Sequence, residues 1–159
     1  AKVDKCSELT ISGSYRRGQK TSGDIDILIK PSYSCELKDI YIPYINLLKK
    51  DGYITEVLAK GVKKFMGLAK LDNVNRRIDI MVTTPDEYPF AVLYFTGSKE
   101  FNLKMREKAL SYGYTMNEYC LTYVEEGDHS GDRLEDAVFG KEEDIFGFLE
   151  MDYVEPCDR

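Results

Sequence analysis

Hydrophobic and polar positions along the chain follow two periods, and each change of period marks an element. Glu8 to Gly13 (ELTISG) alternates apolar and polar residues and stops at a glycine, as a short strand entering a turn does. Asp24 to Ile29 (DIDILI) also alternates, so its two aspartates fall on one face and its isoleucines on the other. Leu37, Ile40, Tyr41, Tyr44, Ile45 and Leu48 recur at spacings of three and four. That spacing predicts an amphipathic helix from about Ser34 to Asp51, ended by Gly52 and covering one face of a sheet. Tyr53 to Ala59 and Lys64 to Leu71 predict a strand pair joined around Lys60 and Gly61, and Arg77 to Thr83 (RIDIMVT) predicts another strand.

Helical periodicity resumes from Pro85 to Phe95 and from Lys99 to Tyr112, on either side of the breaker Thr96-Gly97, with Gly113 as the stop. The remainder predicts a strand near Glu118 to Tyr123, an acidic glycine-bearing loop from Glu125 to Asp136, and a short helix around Glu142 to Leu149. The pattern contains no internal repeat.

Composition narrows the class. With 159 residues, 43% hydrophobic and 31% charged, the chain can bury a core in one domain or two small lobes and should fold as a soluble globular protein. No apolar run approaches the roughly 20 residues needed to cross a bilayer, and AKVDKCSELT lacks the pattern of a secretory leader, so no membrane role is expected. Cys6, Cys35, Cys120 and Cys157 are scattered and form no zinc pattern, which reads as reduced thiols of an intracellular protein. The single histidine, His129, sits in the loop sequence EEGDHSGDR and is given no catalytic role. A net charge of −6 argues against a protein that coats nucleic acid through many phosphate contacts, so any DNA contact must be local.

Candidate chemistry lies in the acidic strands. Two carboxylates at i and i+2 on a strand reach one point while the residue between them packs inward, so Asp24 and Asp26 form a clamp for a hard cation. Asp79 holds the same kind of position in RRIDIMV, on a strand that could lie beside the first. Three converging carboxylates suit two magnesium ions, with manganese able to substitute. Just upstream, Gly13-Ser14-Tyr15-Arg16-Arg17-Gly18 offers backbone N–H groups, a hydroxyl and guanidinium groups suited to phosphate oxygens.

GSYRRGQKTSGDIDILI resembles the signature of the polymerase beta superfamily of nucleotidyltransferases and, within it, of the family X DNA polymerases. RRIDI resembles that family's third catalytic aspartate segment, LYFTGSKEFNLKMR its nucleotide-binding segment, and KEEDIFGFLEMDYVEPCDR its C-terminal segment. The resemblance implies an α+β fold: a mixed-sheet palm over residues 1–90 and a small nucleotide-binding lobe (thumb, also called fingers) over 91–159. It implies that Asp24, Asp26 and Asp79 hold the catalytic metals and that Ser14, Arg17 and Gly23 contact a triphosphate. Tyr94, Phe95, Thr96 and Gly97 would lie under the incoming sugar and base, with Asn102 at the minor-groove edge and Leu93 as plain core. Arg77 would approach the primer phosphate, Arg106 the templating strand, and Lys63, Lys64 and Arg76 the DNA backbone, while Glu118 and Tyr119 would support the closed site. The implied activity is primer extension with a deoxynucleoside triphosphate, gap filling in nuclear DNA repair, on primer-template or gapped DNA.

Two positions depart from the pattern. Lys99 follows FTGS where polymerase beta carries an acidic residue, and Met81 stands where it carries an arginine able to pair with a metal-binding aspartate. The lyase and helix-hairpin-helix domains that the family usually carries before the glycine-serine motif cannot fit in twelve residues. Two rival readings stay open: a nucleotidyltransferase with a non-DNA acceptor, and a nucleotide- or DNA-binding module without turnover.

Overall fold

The computed structural model describes residues 7–32, 36–124 and 131–159. His129, Cys6, Cys35, the expected helix start at Ser34 and part of the acidic loop lie outside these residues. The N-terminal half is a five-stranded sheet of β1 (Glu8–Ile11), β2 (Asp24–Lys30), β3 (Ile54–Lys60), β4 (Lys64–Leu71) and β5 (Val74–Val82), ordered β1-β2-β5-β4-β3. Only β2 and β5 pair in parallel, so the sheet is mixed. A one-turn helix, α1 (Gly13–Arg16), links β1 to β2, and α2 (Leu37–Lys50) crosses from β2 to β3.

Alternation along the strands gives the sheet two unlike faces. Ile29, Phe65, Ala69, Ile78, Ile80 and Val82 are buried against Ile40, Tyr41 and Ile45 of α2, which covers the back. Truncating one of these isoleucines to alanine would cost about 2–5 kcal/mol. The opposite face carries the aspartates. Pro43 is accommodated inside α2.

β5 begins three residues earlier than its alternation predicts. Leu71 and Val74 pair directly, so β4 and β5 close through Asp72 and Asn73, both at positive φ (50° and 62°). Aspartate and asparagine accept that conformation more readily than most residues, and it matches the twist of a two-residue hairpin.

The C-terminal half packs α3 (Tyr88–Thr96), α4 (Lys99–Ser111), the hairpin β6 (Tyr114–Met116) with β7 (Leu121–Tyr123), and α5 (Glu142–Phe148) around Leu93, Phe101, Met105, Phe146 and Leu149. Thr84 and Glu87 cap each other one turn before α3: the Thr84 N–H donates to Glu87 Oε2 and the Glu87 N–H to Thr84 Oγ1. α3 is apolar on nearly every side because it lies between two cores. Phe90 and Leu93 face the lobe, while Tyr88, Ala91 and Val92 meet Leu28 and Met81 of the palm. No helix among the described residues is long and apolar enough to cross a membrane.

Candidate active site

The parallel register of β2 and β5 sets Asp26 directly beside Asp79 and Asp24 beside Arg77. Neighbours in register share a face, as do residues two apart on one strand, so Asp24, Asp26, Arg77 and Asp79 all stand on the face away from α2. Burial, and then the charges of Asp79 and Asp24, push the Asp26 carboxyl above the usual carboxylate range, with Arg77 and Lys64 pulling it back. Arg77 lies along its strand neighbour, Nε donating to Asp79 Oδ1 at 3.2 Å and Nη2 to Oδ2 at 3.3 Å. Among the described residues no three His, Cys, Asp or Glu side chains are gathered tightly enough to hold a metal ion. The donor set itself, carboxylates with neither sulfur nor imidazole, fits a hard divalent cation.

α1 is placed against this ladder by its first residues. The Ser12 N–H donates to the Asp26 carbonyl at 2.8 Å, and Gly13 follows at φ 61°. A Cβ at Gly13 would collide with the Asp26 carboxylate, so a glycine is required both by conformation and by space. Ser14 and Ser22 then face each other across the loop, Oγ to Oγ at 2.8 Å, while Gly23 is exposed at its tip with open space around it. An open groove of about 460 Å³ runs past this loop, lined in part by Tyr15, Lys20, Ser22, Asp24 and Arg76.

The loop's two arginines reach the elbow between α3 and α4. Arg17 Nη1 donates to the Thr96 carbonyl, and Arg16 Nη1 to Thr96 Oγ1 at 2.7 Å. Gly97 turns the chain at φ 69°, where an added Cβ would stand 3.0 Å from Arg17 Nη1. Ser98 caps α4 by accepting from the Phe101 N–H at 3.3 Å. Tyr94 is exposed and lies edge-on to Phe95, ring centroids 5.2 Å apart. Asn102 Nδ2 donates to the Tyr94 carbonyl at 2.7 Å, leaving its Oδ1 buried without a partner among the described residues. Leu93 is core, 1% exposed.

The basic residues separate. Lys64 stands near Asp26 with Nζ 5.4 Å from the centre of the Phe95 ring, and Arg106 is exposed one turn beyond Asn102 on α4. Lys63 is engaged within the protein: Nζ contacts both Glu87 oxygens at 2.9 and 3.0 Å and lies over the Tyr119 ring, tying the β3–β4 turn to the lobe. Arg76 donates to the Ser22 carbonyl at 3.3 Å. Met81, in place of an arginine, is 3% exposed under α3.

Sequence reasoning gave no role to Glu142, on the first turn of α5. It is 5% exposed and accepts from Arg16 at 2.6 and 3.1 Å, Arg159 at 3.0 Å and the Tyr153 hydroxyl at 2.8 Å. Burial alone would raise its pKa, but the hydrogen bonds and charges of the two arginines win and hold it at about 2. The side chain of Arg159 is fully buried, its guanidinium 5.3–5.4 Å from the ring centres of Phe101, Phe146 and Tyr153. No local pattern signals this network, because its members are brought together only by the packing of both halves.

The sheet, the helix α2 over its back and the acidic ladder on its front make a polymerase palm, and the family models agree. The DNA polymerase beta palm matches residues 1–85 and the DNA polymerase beta thumb residues 91–159. DNA polymerase lambda of Rattus norvegicus is 32% identical over 92% of this chain, and that of Arabidopsis thaliana 28% over 95%. The PolX DNA polymerase/3'-5' exonuclease of Bacillus subtilis is 29% identical over 74% of the chain. With both halves matched, the chain belongs to the family X DNA polymerases. It spans 28%, 31% and 19% of the lengths of those three relatives.

Proposed function

We propose that this palm and lobe form the catalytic centre of a DNA-directed DNA polymerase that adds a deoxynucleotide to a primer 3'-hydroxyl, filling gaps during DNA repair in the nucleus. The observation that carries this reading is the in-register placement of Asp26 and Asp79, with Asp24 on the same face. Asp24, Asp26 and Asp79 would hold two magnesium ions. When bound, these supply charge neutralisation at the attacking and leaving oxygens of an in-line phosphoryl transfer.

The chain's own residues do the rest. Ser14 and Arg17 bind the triphosphate from one side, and the α3–α4 elbow that Arg17 touches carries Tyr94 and Phe95 beneath the sugar. Asn102, one of whose two Nδ2 protons goes to the Tyr94 carbonyl, offers the other to the acceptor atoms of the base's minor-groove edge. Arg77, already above its usual range through its hydrogen bond and charge pairing with Asp79, remains cationic throughout and can pass from that carboxylate to the primer phosphate.

Magnesium-dependent incorporation on a single-nucleotide gap, compared with an untemplated primer end, tests the proposal. Preferential extension of the gap supports it, with the family's DNA-gripping domains supplied in cis if this chain alone holds DNA weakly. Nucleotide binding without incorporation in that longer protein would instead favour a binding module.

A further inference from the structure

The sequence pattern assigns Ser22 no role, yet its hydroxyl lies between two parts of the site. Ser22 Oγ is 2.8 Å from Ser14 Oγ and donates to the backbone carbonyl of Asp24 at 2.8 Å. A serine hydroxyl carries one proton, and a carbonyl oxygen has none to give. The Ser22 proton is therefore spent on Asp24, and the bond between the two hydroxyls must be made with the proton of Ser14. In this arrangement Ser14 offers a phosphate lone pairs and no donor.

The backbone around both hydroxyls is fixed. The Gln19 N–H donates to the Ser14 carbonyl at 3.1 Å, and Arg76 donates to the Ser22 carbonyl at 3.3 Å. The hydroxyls can turn while the loop stays in place.

We propose that Ser22 is a positioning residue for the triphosphate, acting as a hydroxyl switch. When Ser14 gives its proton to a phosphate oxygen, the Ser22 proton swings from the Asp24 carbonyl to Ser14 Oγ. The inference rests on the triphosphate reading of Ser14. Reversal keeps the bond between the serines but gives up the bond to Asp24, at the start of the strand that carries the acidic clamp. Phosphate engagement is thereby coupled to that strand, at the cost of one internal hydrogen bond. Losing an internal bond outweighs the modest strengthening of Ser14 as a donor when a second hydroxyl donates to it. Removing the Ser22 hydroxyl should therefore tighten nucleotide binding.

The test is a double-mutant cycle read by dATP titration at fixed magnesium, using the chain and its Ser14→Ala, Ser22→Ala and doubly substituted variants. Ser22→Ala is expected to lower Kd about fivefold, equivalent to about 1 kcal/mol. In the Ser14→Ala background the same change should have no effect. Ser22→Val and Ser22→Thr differ only in the hydroxyl and give a second pair should alanine disturb the loop: valine should behave as alanine and threonine as wild type. A Kd raised or unchanged by Ser22→Ala and Ser22→Val, or shifted equally in both backgrounds, overturns the switch while leaving the nucleotide reading intact. Binding of dATP that ignores both Ser14→Ala and Arg17→Ala overturns that reading and the switch with it.

Discussion

The protein treats buried acid in two opposite ways. At the palm, Asp26 sits beside Asp24 and Asp79, and its carboxyl is pushed above the usual range. At the lobe, Glu142 is more deeply buried yet is held at about 2 by Arg16 and Arg159. Both groups lose water; they differ in what replaces it. Around Glu142 every strong donor is supplied by the fold, so the charge is structural. Around Asp26 stand two further carboxylates and two cations, so the three acids outnumber Arg77 and Lys64, which leaves negative charge for a ligand to neutralise.

The sharpest way to break this contrast is to remove each acid in turn. Glu142→Ala would leave the fully buried Arg159 and the half-buried Arg16 without their shared partner, and should destabilise the chain by about 3–5 kcal/mol in denaturant unfolding. A loss below 1 kcal/mol would mean that the network contributes little. Asp79→Ala should cost about 4 kcal/mol in a different quantity, slowing single-turnover incorporation on gapped DNA roughly a thousandfold while dATP affinity changes only a few-fold. Equal loss of binding and turnover would contradict the division of labour between Asp79 and the Asp24–Asp26 pair.

Acid titration sharpens the same comparison. The folded pKa of Glu142 is about 2 against an ordinary 4.5, so its contribution is fully present above 4.5 and is lost as pH falls toward 2. That contribution is on the order of 3 kcal/mol. Asp26 has the opposite sign, because a carboxyl whose folded pKa is raised takes up a proton more readily in the native state and gains stability on acidification. Unfolding free energies measured across pH 2–5 should therefore fall steeply in the wild type and much less in Glu142→Gln. The smallest effect expected is Asp26→Asn, which should stabilise the metal-free chain by about 1 kcal/mol, or roughly 2–4 °C in Tm. A fall in Tm would show that Asp26 is a satisfied structural group.

Much of the palm was legible because its signals are local. DIDILI and RIDIMV each open with charged and isoleucine residues in alternation before turning wholly apolar, and the apolar positions of α2 recur at helical spacing, so strands, faces and covering helix follow from the residues alone. What remained hidden depends on turns and on distant neighbours. The strand expected from Glu118 to Tyr123 shrinks to Leu121–Tyr123 because Asn117 Oδ1 accepts from the N–H groups of Tyr119 and Cys120, folding those residues into a turn. Its partner β6 has only three residues, too few to show a period. Helix α3 starts at Tyr88 rather than Pro85 because Thr84 and Glu87 first close a capping turn. In the site, the aspartates could be read from spacing, whereas the engagement of Lys63 with Glu87 and Tyr119 needs the two halves to meet.

The most direct test of the palm as a cation-accepting site is the effect of magnesium on thermal unfolding of the wild type and of Asp26→Asn. A ligand that binds only the native state raises its stability by RT ln(1 + [L]/Kd). With dATP present in both samples, magnesium should raise the Tm of the wild type progressively and leave Asp26→Asn nearly unmoved. An equal rise in both proteins, or none in the wild type, would contradict the account.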